Sequence, residues 1–146
     1  MPGNKKLRLD INVRFRDLDA IGHVNHLSTL TYFEEGRVIF LRDILGIDLG
    51  VKEVAREPPF IMASLSCEFL SQISLGDEIF LELWIGKIHN KSFTFKYRLR
   101  DRKNKDKIFA VGESTHVFFD FKNNRTMAIP IEFSERAAEY LECKDS

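Results

Sequence analysis

Two carboxylates, two imidazoles and a carboxamide crowd one short stretch, Arg16-Asp17-Leu18-Asp19-Ala20-Ile21-Gly22-His23-Val24-Asn25-His26. Directly after it, apolar residues recur at Leu27, Leu30, Phe33, Val38, Leu41 and Leu45, with Glu34, Glu35, Arg37 and Arg42 between them. That spacing predicts an amphipathic helix with Asn25 as its N-cap and a stop near Leu45-Gly46. The first backbone N–H groups of a helix have no partner within it and the dipole favours negative charge there, so a carbonyl docked at that end is polarised toward an oxyanion. A carboxylate such as Asp19 then attacks the carbon or activates a water against it, an arrangement suited to acyl transfer to water. His23 and His26 are further catalytic candidates, as imidazoles able to change charge near neutral pH. A structural reading competes at every one of these positions. Asp is common in turns because it bonds its own backbone, Asn25 serves equally as a cap alone, and a lone His is more often a structural residue than a catalyst. Asp17, directly after the first strand, fits a turn or salt-bridge role.

The elements that must position this stretch follow from periodicity. Leu7, Leu9, Ile11, Val13 and Phe15 alternate with Arg8, Asp10, Asn12 and Arg14, the pattern of a strand with one buried face. A turn-rich connection is expected over Ile47 to Pro59, with a short helical piece around Val51 to Ala55, and Pro58-Pro59 forbids helix beyond it. Strands are expected at Phe60 to Phe69, Glu78 to Lys87, Ser92 to Asp101 and Ile108 to Phe119, then a short piece near Thr126 to Ile129 and a terminal helix over Glu135 to Glu142. Short turns favour antiparallel neighbours, so the order predicts a single α+β domain over residues 1–146 with a helix against one face of a curved antiparallel sheet. One amphipathic helix covers only part of such a sheet, and a second copy of the chain is the economical cover for the remainder.

Composition narrows the classes. A chain of 146 residues that is 44% hydrophobic and 30% charged buries a real core, which excludes disorder, and no apolar run approaches the length of a membrane span. Twenty-two Lys and Arg against 22 Asp and Glu give no net charge, so the broad basic field that gathers nucleic acid or anionic membrane is missing, as is an aromatic stacking platform. Cys67 and Cys143 stand far apart with no Cys/His ladder, so neither a disulfide framework nor a metal site is expected. The N-terminal residues show no secretory h-region, and a cytoplasmic location is expected. Thirteen Phe against a single Trp imply a greasy interior with room for a greasy ligand.

The run Asp17-Leu18-Asp19-Ala20-Ile21-Gly22-His23-Val24-Asn25-His26, followed by Tyr32-Phe33-Glu34-Glu35-Gly36-Arg37, resembles the opening signature of hotdog-fold acyl-CoA thioesterases of the 4-hydroxybenzoyl-CoA thioesterase-like superfamily. Ser71-Gln72-Ile73-Ser74-Leu75-Gly76-Asp77-Glu78 resembles a later passage of the same family, and the likeness covers about residues 8 to 140. It implies a hotdog fold, with an antiparallel five- to six-stranded sheet wrapped around one long helix, in a homodimer or homotetramer whose active sites lie between subunits. It implies a thioester hydrolase acting on a fatty or aromatic acyl-CoA or acyl-carrier-protein thioester, with no cofactor beyond the CoA of the substrate. Asp19 falls on the family's catalytic carboxylate. His26 falls where members carry a catalytic histidine or the N–H that binds the thioester oxygen, and His23 matches a histidine of plant acyl-carrier thioesterase relatives. Asn25 matches the first of an Asn-Asn pair whose second member is here His26, and a tyrosine common three positions further on is here Thr29. His89-Asn90-Lys91-Ser92 resembles a hairpin that holds CoA phosphates, of which Lys91 and Ser92 survive as substrate-binding candidates. The alternative is a hotdog protein that binds an acyl thioester without cleaving it, as a sensor or carrier partner. A hotdog dehydratase fits less well, because its Asp-to-His spacing of five is absent: Gly22 and Val24 stand five beyond Asp17 and Asp19.

Overall fold

A computed structural model describes residues 3–46 and 60–143. The alternating segments form β1 (Leu7–Ile11), β2 (Phe60–Phe69), β3 (Ile79–Ile88), β4 (Ser92–Asp101), β5 (Ile108–Asp120) and the short β6 (Arg125–Thr126), and the helices are α1 (His26–Asp43) and α2 (Ile131–Ala137). All the ladders are antiparallel, in the order β1-β3-β4-β5-β2 with β6 on β5. The α+β expectation and the positions of β2 to β5 hold to within a residue or two. The expected connection over Ile47 to Pro59 lies outside the described residues.

Four expectations are corrected. The one long helix is an 18-residue element, about 27 Å at 1.5 Å per residue, accompanied by a second, seven-residue helix. The first strand stops at Ile11 because its ladder ends where β3 begins, at Ile11–Ile79; Phe15 instead opens a 3₁₀ turn and is 81% exposed. The last helix starts earlier than Glu135, at Ile131 behind Pro130, whose fixed φ suits a helix entry, and closes in a 3₁₀ turn at Ala138–Tyr140. The buried stripe of α1 runs through Ser28, Thr29, Tyr32, Phe33, Gly36 and Phe40, while Leu27 is 76% exposed and Val38 is also exposed.

The helix packs on β3 and β4, whose inward faces carry Ile79, Leu81, Leu83 and Ile85, and Phe93, Phe95, Tyr97 and Leu99, all fully buried. Gly36 permits the close approach: a Cβ there would run into Leu81 Cδ2. Phe33 stacks on Tyr97 at 4.4 Å between centroids, and Phe40 meets Phe95 edge-on at 5.0 Å. Much of the phenylalanine content is therefore core. On the opposite face of the sheet Arg98 Nε and Arg100 Nε lie 2.9 and 2.7 Å from the same Glu82 oxygen, and the guanidinium of Arg98 also lies over the Trp84 ring.

A buried polar chain ties α1 to the sheet. Arg37 donates to the Tyr97 hydroxyl at 3.1 Å, Tyr97 meets the Ser114 hydroxyl, and Ser114 lies 2.7 Å from His116 Nε2. Burial, reinforced by the charge of Arg37, lowers the His116 pKa from 6.5 to about 4. The unfolded chain therefore takes up a proton that the folded one refuses, and the stability contributed by neutral His116 is complete above pH 6.5 and lost as pH falls toward 4. The full effect is about 3 kcal/mol. Urea midpoints measured across that window should fall with decreasing pH in the wild type, and the slope should flatten by about one proton in His116→Gln.

Candidate active site

The residues before α1 fold into a small closed loop. Asp19 N–H donates to His23 O at 2.8 Å and Gly22 N–H to Asp19 O at 3.1 Å, with Gly22 at φ +90°, a conformation costly for any residue with a Cβ. Leu18 bridges Val24, Val24 N–H donates to Ile73 O at 2.8 Å, and His23 bridges Ser74, so the loop is docked on the β2–β3 connection. The Asp19 carboxylate accepts both the Ile21 N–H at 2.9 Å and the His23 N–H at 3.2 Å on Oδ1, leaving Oδ2 without a partner among the described residues. The bond from the His23 N–H, aided by that from Ile21, outweighs the opposing desolvation and holds its pKa below the usual carboxylate range. Asp19 is thus an exposed, ionised carboxylate with one oxygen spoken for and one available.

Asp17 plays the structural part expected of it. Its buried carboxylate accepts the Tyr32 hydroxyl at 2.7 Å and the Arg14 N–H at 3.0 Å on one oxygen, with the Arg14 guanidinium 3.6 Å from the other. Burial pushes this carboxyl up, and those three contacts together overcome it and leave the pKa lowered. Tyr32, by burial and then by the same carboxylate, is raised well above the ordinary phenol value. The Asp17 carbonyl also accepts Asn25 N–H at 2.9 Å, which fastens the loop to the helix entry. Tyr32 carries no local signature in the sequence; only its return to Asp17 across fifteen positions reveals its role.

The N–H groups at that entry can be accounted for one by one. Asn25 N–H goes to Asp17, and Ser28 N–H goes to the Asn25 side chain at 2.8 Å, so Asn25 is the cap. His26 N–H and Leu27 N–H have no partner among the described residues. Two adjacent donors at a dipole's positive end are a ready receptor for a carbonyl oxygen acquiring charge. The His26 ring stacks on Phe69 at 4.0 Å between centroids, both lining a cavity of about 280 Å³ between the helix entry, the end of β2 and the start of β5. Phe69 was not singled out in the sequence, where it is one more apolar residue of a strand.

Lys91 and Ser92 lie elsewhere. The Asp19 loop leaves the sheet at the Ile79 end of β3, whereas these two follow its Ile88 end, roughly 30 Å away along a ten-residue strand. Lys91 Nζ reaches Thr126 Oγ1 at 3.5 Å on an exposed hairpin, and Ser92 opens β4. A single chain brings Asp19, His23, Asn25 and His26 together and leaves Lys91 and Ser92 apart. Burial pushes the Cys67 thiol up to about 11, which removes it as a thiolate nucleophile at neutral pH. Among the described residues no cluster of His, Cys, Asp and Glu suits a metal ion, and no helix is long and apolar enough to cross a membrane.

The geometry thus sets an ionised carboxylate and two open helix N–H groups in one loop at the end of an antiparallel sheet. The sequence matches the thioesterase-like superfamily over residues 13–137, and the chain belongs to that family. Among solved structures it resembles a predicted thioesterase from Bacillus stearothermophilus, with a TM-score of 0.80 at 22% identity over 94% of this chain and 97% of the other. It also resembles a thioesterase from Thermus thermophilus complexed with coenzyme A and Zn, with a TM-score of 0.73 at 27% identity over 89% and 95% of the two chains. The Bacillus subtilis protein YsmA is 25% identical over 87 residues, which cover 60% of this chain and 56% of that relative. The six-stranded antiparallel sheet with its helix is thus the hotdog architecture.

Tyr32→Phe deletes one donor to a buried carboxylate and should cost about 2 kcal/mol of stability. The same change should release the loop from the helix, read as faster amide exchange at Asn25 and Val24 than in the wild type.

Proposed function

We propose that this protein hydrolyses an acyl-CoA thioester, with a fatty or aromatic acyl group, to the free acid and CoA. The observation that carries the reading is the pairing, in one loop, of the unpartnered Asp19 Oδ2 with the two open N–H groups of His26 and Leu27. In the general-base route Oδ2 takes a proton from a water while the water oxygen bonds to the carbonyl carbon. The carbonyl oxygen takes the charge against the two N–H groups. The C–O double bond then re-forms, the C–S bond breaks, and the thiolate leaves to be protonated. In the covalent route Oδ2 itself bonds to the carbon, the C–S bond breaks and the thiolate leaves to be protonated, and water then opens the resulting mixed anhydride to the free acid and the Asp19 carboxylate. A general base contributes about 10² to 10⁴ and an oxyanion donor about 10² to 10³ in rate. The coenzyme A held by the Thermus relative supports CoA as the thiol, with an acyl-carrier protein as the alternative carrier. His23 and His26 flank the same loop as candidate proton carriers, and no group beyond the substrate's own CoA enters the chemistry.

The same reading calls for a second copy of the chain, in a homodimer or homotetramer. β2 ends the sheet with a free edge and an exposed outer pattern, and Phe15, Ile21 and Leu27, each more than three-quarters exposed, stand around the Asp19 loop. Only a neighbouring subunit brings a Lys91–Ser92 hairpin near an Asp19 loop, because one chain holds them at opposite ends of β3. The cytoplasm is the compartment that goes with this reading.

Asp19→Asn should fold and lose about 10²-fold or more of thiol release across a panel of acyl-CoAs, by the usual worth of a general base. Wild-type turnover in that variant removes Asp19 from the mechanism, and binding without turnover in the wild type favours the sensor or carrier alternative. Because the carboxylate is the active form and its pKa is lowered, kcat/KM should show no acid limb from Asp19 above about pH 4. Light scattering should give at least twice the 17.0 kDa chain mass, and Lys91→Ala should raise KM for acyl-CoA while kcat holds. A monomer would leave Lys91 and Ser92 with no part in the site.

A further inference from the structure

The cavity beside His26 contains a polar group that the hydrolytic chemistry does not use. Thr29, one turn into α1, is 3% exposed and lines that cavity, yet its hydroxyl has no hydrogen-bond partner among the described residues. The contrast within the helix is informative. Thr31, on the exposed side, bonds back to Leu27 O at 3.0 Å, the usual way a helical threonine satisfies itself. Thr29 makes no such bond, and its hydroxyl is not among the fully enclosed unpaired polar atoms of the described residues. It is therefore open to the cavity that the residue lines and loses its access to water only when that cavity is filled.

The surroundings define what would satisfy it. Val24, Ile73, Phe109 and Ala110 supply apolar wall, and the His26–Phe69 stack forms another side. At about 280 Å³ the cavity is nearly twice the roughly 150 Å³ that holds a benzene ring, enough for an acyl group of modest length. Thr29 follows His26 at i+3, so their Cβ atoms are neighbours at roughly 5–6 Å. If a thioester holds its carbonyl oxygen on the His26 N–H and its acyl group in this cavity, the near part of that group passes beside the Thr29 hydroxyl.

We propose that Thr29 is a specificity-determining residue whose hydroxyl hydrogen-bonds an oxygen carried by the acyl group, so that the enzyme prefers a hydroxy- or oxo-acyl thioester to the plain alkyl chain. The proposal rests on the thioesterase reading of the site and adds the substrate class to it. A hydroxyl both donates and accepts, so either form of oxygen satisfies it. Discrimination is strong in this direction, because a substrate lacking the oxygen leaves a buried hydroxyl unpaired in the complex.

The test compares hexanoyl-CoA with its 3-hydroxy, 3-oxo and 5-hydroxy derivatives on the wild type, Thr29→Val and Thr29→Ser. Valine keeps the shape and removes the hydroxyl; serine keeps the hydroxyl. In the wild type at least one oxygenated chain should exceed hexanoyl-CoA in kcat/KM by about tenfold or more. That ratio should fall to within about twofold of one in Thr29→Val and persist in Thr29→Ser. Taking the ratio within each variant cancels any loss of folded protein. Dissociation constants for the matching non-hydrolysable thioether analogues, measured by calorimetry, should show the same pattern whether or not the protein turns over. A wild type with no preference in either assay, or a preference undiminished in Thr29→Val, overturns the assignment. Hydrolysis that proceeds without the preference leaves the thioesterase reading standing and removes only this one, whereas the preference in binding without hydrolysis does the reverse.

Discussion

Asp17 is the constraint on which the site depends. A buried carboxylate is tolerable only when its lone pairs are filled, and here they are filled by a backbone N–H, a guanidinium and a phenol drawn from both sides of the loop. Because the phenol belongs to Tyr32 in the second turn of α1 and the Asp17 carbonyl takes the Asn25 N–H, satisfying Asp17 also sets where the helix begins relative to the loop. Asp19, two residues on, inherits that placement. The buried acid does the holding so that the exposed acid can stay solvated and ionised.

The division of labour continues at the helix start. Asn25 uses its side chain for Ser28 N–H and its own N–H is taken by Asp17, which leaves the open donors at His26 and Leu27. Had the cap satisfied a different N–H, the pair of open donors would have shifted by a residue. Packing reinforces the arrangement from below: Gly36 admits the Leu81 side chain, and Phe33 lies flat on Tyr97, so α1 has little freedom to slide along the sheet. The helix entry is therefore a rigid electrostatic feature, which is the property a preorganised oxyanion site requires.

Charge is distributed with the same economy. The chain is neutral overall, and Arg98 and Arg100 converge on a single carboxylate, Glu82. Among the described residues, what is left unpaired around the helix entry is small and local: one carboxylate oxygen, two amide protons and the hydroxyl of Thr29. These groups gather at one end of the sheet, beside one cavity, whereas Lys91 and Ser92 belong to the other end of the molecule.

Period-two alternation in β2 to β5, the proline and glycine breaks between them and the crowding of polar residues before the helix were all legible in the sequence, because each is a local pattern with a local cause. So were Asn25 as the cap and the turn or salt-bridge role of Asp17. The sequence by itself could not show where β1 ends, because a strand stops when its partner does, and that partner is β3, far along the chain. Nor could it show that Thr29 and Gly36 are buried while Leu27 is exposed, because burial along α1 is decided by the tilt of the helix on the sheet rather than by residue hydrophobicity. The Tyr32–Asp17 bond, the His26–Phe69 stack and the cavity beside Thr29 are contacts between distant segments, and only the folded chain decides which of those segments meet.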